Sequence, residues 1–438
     1  MSSLDLNSTA GVAPSPVPAP GDAPISLAYW FFVQFFRGVG LCALPFLWTL
    51  FQIWRSQESM LYHPVMAGSM FGRRCDENPP PLDSPLDHQW SLESGEGDGG
   101  LPFEEFFVDA ADGVRTHGWL IWAPPRVDAS TATTIVIFHA NAGNMGLRLP
   151  QARSLRKGLL ANVVLWDYRG YGASTGEARE EGIRADAVAL LDRLRADPRL
   201  EKQKIIFYGT SLGGAVASAA AADSLARGDA PIAGLILENT FLSISALVDV
   251  LLPQFSRFKP LVLRLKWDTY SHAHVLGTRV PVLLLSSLKD ALVPPSHMAM
   301  LHAALCSAHE SVDAQPAFVE PKLVRVAGAG HSDIIAVAGE AAWIGWIADF
   351  LASALQSKPQ ARTVSSEEAA STARAFEEVA APLRAERSKR IANVDRFNMP
   401  SVATPTTAKV SEAAAVDKLP VATDEETERA KSELRRRT

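Results

Sequence analysis

With 438 residues, 47% of them hydrophobic and only 21% charged, the chain exceeds one ordinary domain and has ample apolar material for a core, which excludes disorder throughout. A formal net charge of -6 is small for this length, and without any nucleic-acid motif it gives no ground for a nucleic-acid partner. Cys42, Cys75 and Cys306 are too few and too scattered for a disulfide framework or a metal site, although a single Cys75–Cys306 bridge stays open.

The apolar surplus is uneven. Residues 1–24 form a Pro- and Ala-rich flexible leader, and residues 25–54 follow as a long hydrophobic run whose only basic group is Arg37. At about 1.5 Å per helical residue, this run can just cross roughly 30 Å of hydrocarbon, with Arg37 snorkelling and Trp30, Trp48 and Trp54 at the interfaces. A cleaved signal peptide and a buried core helix compete with this reading. The length of the run and the lack of Lys or Arg before Arg37 oppose the first, and the missing polar stripe opposes the second. The expectation is a single-pass membrane anchor, kinked at Pro45, that brings the chain to a lipid bilayer, with a hairpin-like re-entrant insertion around that kink as the lesser alternative. Arg55, Arg73 and Arg74 follow it, so the positive-inside rule favours the cytosol for the rest of the chain. Residues 55–100, proline-rich and then glycine-rich, read as a juxtamembrane linker.

From residue 101 to 355 the pattern changes. Glu104–Val108 and Arg115–Trp122 flank Asp112-Gly113 and predict an antiparallel pair of strands. Thr134–Phe138 is a continuous β-branched run expected of a strand buried on both faces. It exits through His139-Ala140-Asn141-Ala142-Gly143-Asn144, a small polar loop. Leu147–Gly158 predicts a helix, Asn162–Trp166 another buried strand, and Arg179–Asp197 a helix covering one face.

Ile205–Tyr208 then runs into Gly209-Thr210-Ser211-Leu212-Gly213, followed by Ala-rich sequence. That is strand, sharp turn and helix, the setting in which a G-x-S-x-G serine becomes a nucleophile. Ser211 would stand at a helix N-terminus, where free N–H groups favour developing negative charge. The oxyanion hole would combine the N–H of Leu212 with that of Asn141 from the earlier loop. Strands at Gly234–Glu238, Val282–Ser286 and Lys322–Val326 complete the alternation, which predicts a mostly parallel sheet with helices on both faces. Residues 241–279 are extra sequence, either a lid over the site or a connecting helix pair.

A serine nucleophile needs an imidazole, and the imidazole needs a carboxylate, in the chain order Ser, acid, His. His331 lies in the loop after the last predicted strand and is the expected base; His297, His302 and His309 fall in a predicted helix instead. Asp290, after the strand at 282–286, is the favoured acid, with Glu238 at the end of the preceding strand as its rival. Residues 356–438 lack the apolar content for a core and read as a disordered tail, with an exposed helix at Glu367–Ile391 as an option.

Taken together, H-A-N-A-G-N from His139, D-Y-R-G-Y-G from Asp167, G-T-S-L-G-G from Gly209, E-N-T-F from Glu238, L-K-D from Leu288 and G-A-G-H-S-D from Gly328 carry a resemblance. So does Gln57–Pro64 behind the apolar run. The chain resembles the membrane-anchored serine hydrolases of the alpha/beta-hydrolase-domain-containing protein 13 family, with fungal bud-emergence-type and plant wavy-growth relatives. The resemblance implies an α/β-hydrolase fold, a triad of Ser211, Asp290 and His331, and hydrolysis of acyl esters or thioesters on a lipid or protein, including palmitoyl-protein thioesters. Acyl-enzyme chemistry of this kind requires no metal and no cofactor. The family is commonly drawn with its catalytic domain across the membrane, against the charge count, so the side stays open, as does the choice of endomembrane or plasma membrane. Ala140 and Ser287 stand where the family carries glycine. An alanine strained at position 140 would favour a second reading, a catalytically inactive membrane-tethered scaffold.

Overall fold

Strands that are apolar at every position need two partners, one for each face, and this chain supplies them as helices. The computed structural model describes residues 27–65, 72–79, 82–86, 101–124, 127, 132–200, 204–277, 279–310 and 319–355. The leader, part of the 55–100 stretch and the 356–438 tail with its optional helix lie outside the described residues. The chain divides into two units, residues 1–55 and 56–438.

In the first unit, α1 (Leu27–Leu61, whose last residues belong to the second unit) exposes Phe31, Phe32, Phe35, Phe36, Leu41, Leu44, Leu47 and Trp48. Among the described residues it is the helix that is long and apolar enough to cross a membrane. Pro45 sits inside it, and Thr49 donates its hydroxyl to the Pro45 carbonyl at 2.9 Å.

In the second unit, β1 (Phe103–Asp109) and β2 (Arg115–Ile121) form the expected hairpin, and β2 continues antiparallel against β4 (Asn162–Asp167). From there the sheet is parallel: β3 (Thr134–Phe138), β5 (Ile205–Thr210), β6 (Gly234–Glu238), β7 (Val282–Ser287) and β8 (Lys322–Val326). The eight strands run in the order β1-β2-β4-β3-β5-β6-β7-β8.

Period-two alternation divides the core. Val136, Phe138, Val164, Trp166, Phe207, Leu235 and Leu284 pack into one cluster with α3 (Glu180–Arg195) and α4 (Leu212–Ala226). Ile135, Ile137, Val163, Leu165, Ile206, Tyr208, Ile236 and Leu283 face the other way. They pack with α2 (Leu149–Leu159), whose Leu149, Ala152 and Leu155 are buried. The register pairs Val136 with Val164 and Phe207, so like faces align across the sheet. The helix expected from Leu147 begins at Leu149, because Met145–Arg148 is a 3-10 turn capped by the Asn144 side chain.

The 241–279 insertion has an exposed portion and a buried one. It holds α5 (Ile244–Leu251), α6 (Lys259–Val262) and α7 (Thr269–Leu276). Helix α7 buries Thr269, Ala273 and Leu276 against α4 and α8 (Pro295–Glu310), as a connecting helix should. The α5–α6 portion leaves Val250, Leu251, Leu252 and Leu261 exposed. Helices α9 (Ile334–Ala338) and α10 (Glu340–Leu355) close the fold, with Trp343, Ile347 and Phe350 in the second cluster. Cys75 and Cys306 are both buried and neither is in a disulfide, so the bridge left open by the sequence is not formed.

Candidate active site

The turn after β5 is where backbone geometry singles out a residue. Ser211 has φ 55° and ψ -119°, a positive-φ conformation that a residue with a side chain disfavours, and the surroundings fix it there. Its N–H donates to the Glu238 carbonyl at 2.8 Å, and its own carbonyl accepts from Thr240 Oγ1 at 2.8 Å. Helix α4 can press against β3 only because residue 213 lacks a side chain: a Cβ there would stand 1.9 Å from the Phe138 carbonyl oxygen.

Three side chains distant in sequence meet at this turn. His331 Nε2 lies 3.0 Å from Ser211 Oγ, and His331 Nδ1 lies 2.6 Å from Asp290 Oδ2. With the proton on Nδ1 donated to the carboxylate, Nε2 is left to accept from the serine hydroxyl. The second oxygen of Asp290 accepts from the Leu292 and Val293 N–H groups at 2.9 and 2.8 Å, so the acid is aimed as well as buried.

Glu238, the rival acid, faces elsewhere. Its carboxyl takes the Tyr208 hydroxyl, which in turn accepts from Trp343 Nε1 at 3.1 Å. Burial pushes the Glu238 carboxyl above its ordinary range, and the Tyr208 hydrogen bond opposes that shift. His297 supplies its Nδ1 to the Leu242 N–H at 3.3 Å and takes no part in this array.

Leu212 opens α4 with its N–H directed by the helix start, where the first donors have no intrahelical acceptor. Asn141 is held by three bonds: its carbonyl accepts from His63 N–H at 2.9 Å and from the Tyr171 hydroxyl at 2.8 Å, and its side-chain amide donates to the Leu61 carbonyl at 3.1 Å. None of these uses its N–H. Ala140 is not among the residues with positive φ, so alanine costs nothing at that position, and the observation that favoured an inactive scaffold lapses.

Several residues that complete the arrangement gave no signal as single letters. Asn239, at φ 47°, donates to the His331 carbonyl and to Ser287 Oγ, both at 2.9 Å, and accepts from the Ser287 N–H at 2.8 Å. It ties the His331 loop to the end of β7, where Ser287 supplies an acceptor. Tyr168 donates its hydroxyl to the His139 carbonyl at 2.7 Å. The pairing of two tyrosines around Gly170 was the available clue.

Beneath the loop, His139 Nε2 stands 3.7 Å from Asp167 Oδ1, and both side chains are buried. Desolvation pulls the imidazole down to about 3 and pushes the carboxyl up to about 7, against the Met145 N–H, which favours the charged carboxylate. An acid whose folded pKa is raised contributes stability below its ordinary 3.8, and that contribution is lost as pH rises through about 7. His139 acts in the opposite sense in an overlapping window, since its lowered pKa costs stability as pH falls below 6.5. Asp167→Asn keeps an oxygen for the Met145 N–H, 2.7 Å away, and removes only the acid. Its thermal midpoint relative to wild type is expected to rise between about pH 4 and about pH 7. A difference that stays constant over that range would refute the raised carboxyl.

The family described as alpha/beta hydrolase fold matches residues 133–265. The Alpha/beta hydrolase domain-containing protein WAV2 of Arabidopsis thaliana is 38% identical over 214 residues, 46% of this chain and 67% of the relative. Protein bem46 of Schizosaccharomyces pombe is 41% identical over 220 residues, covering 49% of this chain and 70% of that protein. The membrane protein YNL320W of Saccharomyces cerevisiae is 32% identical over 213 residues, 49% of this chain and 72% of its own length. By fold, site geometry and these relatives, the chain belongs to the alpha/beta-hydrolase superfamily, within the group of hydrolase-domain proteins that includes WAV2 and bem46.

Proposed function

We propose that the protein is a membrane-anchored serine hydrolase that cleaves acyl esters or thioesters through an acyl-enzyme, in the manner of the alpha/beta-hydrolase-domain-containing protein 13 family. The observation that carries this reading is the His331 imidazole within hydrogen-bond distance of both Ser211 Oγ and Asp290 Oδ2. Ser211 Oγ attacks the acyl carbon as His331 Nε2 takes its proton, and Asp290 stabilises the imidazolium. The Leu212 and Asn141 N–H groups hold the oxyanion. His331 returns the proton to the leaving oxygen or sulfur, then activates the water that releases the acid. No cofactor is required by this chemistry.

The anchor is supported by the exposed apolar surface of α1 and by a relative described as a membrane protein. The exposed leucines of the α5–α6 portion suit a substrate with an acyl chain, on a lipid or on a palmitoylated protein. The test is turnover of p-nitrophenyl esters of increasing chain length beside an S-palmitoylated peptide. Turnover is expected to persist to long chains and to include the thioester. Preference for acetyl esters with no thioester turnover would remove the depalmitoylating activity from the reading.

A further inference from the structure

The stretch expected only to link the apolar helix to the hydrolase domain is bonded into that domain at both of its functional edges. All the contacts lie within the unit formed by residues 56–438. On one side, Gln57 behaves like a piece of sheet edge: its Nε2 donates to the Val262 carbonyl at 2.7 Å, and its Oε1 accepts from the Arg264 and Leu265 N–H groups at 2.8 and 3.4 Å. Glu58 pairs with Arg264 at 2.6 Å, and the Tyr62 hydroxyl accepts from Trp267 Nε1 at 2.9 Å. These partners form the end of the capping insertion. Trp267 is buried at φ 34°, a conformation costly for so large a residue, and the Glu180 carboxylate holds its N–H at 2.9 Å.

On the other side, the same stretch grips the loop after β3. His63 N–H donates to the Asn141 carbonyl at 2.9 Å, the His63 carbonyl accepts from Gly143 N–H at 3.0 Å, and a parallel bridge joins His63 to Ala142. The Leu61 carbonyl takes the Asn141 side chain. Of the three bonds that orient Asn141, two come from residues 61–63 and the third from Tyr171. A small loop of Ala, Asn and Gly has little stiffness of its own, so its peptide planes point where these partners hold them.

We infer that residues 57–63 are a positioning strut: they brace the oxyanion-loop residue Asn141 against the 241–279 insertion, so that the last turn of α1 and the two residues after it set catalytic competence. The inference rests on the proposed hydrolase reading. The strut touches no reacting atom. It acts through the direction of the Asn141 N–H, whose use is in the transition state, so weakening it lowers kcat rather than raising KM.

The experiment uses full-length protein in detergent and a short p-nitrophenyl ester. His63→Pro deletes the N–H that meets Asn141, and kcat is expected to fall about 10- to 100-fold with KM within about threefold, the scale of a misplaced catalytic group. His63→Ala keeps that N–H and is expected to restore kcat to within about twofold of wild type. If the proline variant does not fold, Gln57→Leu, which sheds three hydrogen bonds from a side chain of similar size, is read by the same split, with an expected kcat loss of about fivefold or more. Unchanged kcat in the folded variant, or an equal loss in His63→Ala, overturns the inference while leaving the hydrolase reading intact. Wild-type protein with no Ser211-dependent turnover ends both.

Discussion

Ser211→Ala is expected to remove ester turnover, with kcat falling by about 10⁴- to 10⁶-fold, and to abolish labelling by a fluorophosphonate probe. The size follows from what the hydroxyl does in the array. The bond recorded for Ser211 Oγ is to His331 Nε2 at 3.0 Å, and without that oxygen the imidazole has no nucleophile to activate. The fold should not notice. Ser211 is held by its main chain, through Glu238 and Thr240, and none of those bonds uses the hydroxyl. Alanine and serine also pay similar strain at φ 55°. The thermal midpoint is therefore expected to stay within about 2 °C of wild type. Labelling that survives in the variant would locate the reactive group elsewhere and end the proposed mechanism.

What could be read from the chain in advance was whatever repeats along a strand or concentrates in a turn. β3, β6 and β8 match their expected spans residue for residue, because a run such as Thr134–Phe138 that is apolar on both faces has few other places to go. The elbow was legible since glycine at 213 has a steric reason that survives without coordinates. Three features were not. Asn239 works from a left-handed backbone that its identity permits but does not announce. Glu238 was a rival acid until Tyr208, thirty residues earlier, took its carboxyl. The inferred strut at 57–63 contacts residues about 80 and 205 positions away, through main-chain and side-chain bonds whose partners no local pattern names. Local propensity is blind to such pairings, and so the proposed catalytic residues were easier to name than the residues that hold them in place.

Asp290→Asn separates the two candidate acids by the same reasoning at higher resolution. One carboxylate oxygen is committed to the Leu292 and Val293 N–H groups, so an amide at this position must keep its oxygen there and turn its NH₂ toward His331. His331 Nδ1 then has to accept, its proton moves to Nε2, and Nε2 can no longer take the proton of Ser211. Such a tautomer reversal costs about 10⁴-fold in kcat while the backbone bonds that hold the loop are preserved. Glu238→Gln offers the contrast: its carboxyl partners Tyr208 and supplies no bond to the imidazole, so kcat is expected to change by less than about tenfold. Steady-state turnover of a short ester by both variants decides the matter. A Glu238→Gln loss that equals or exceeds that of Asp290→Asn would mean the 2.6 Å contact between His331 and Asp290 is not the one that orients the base during turnover.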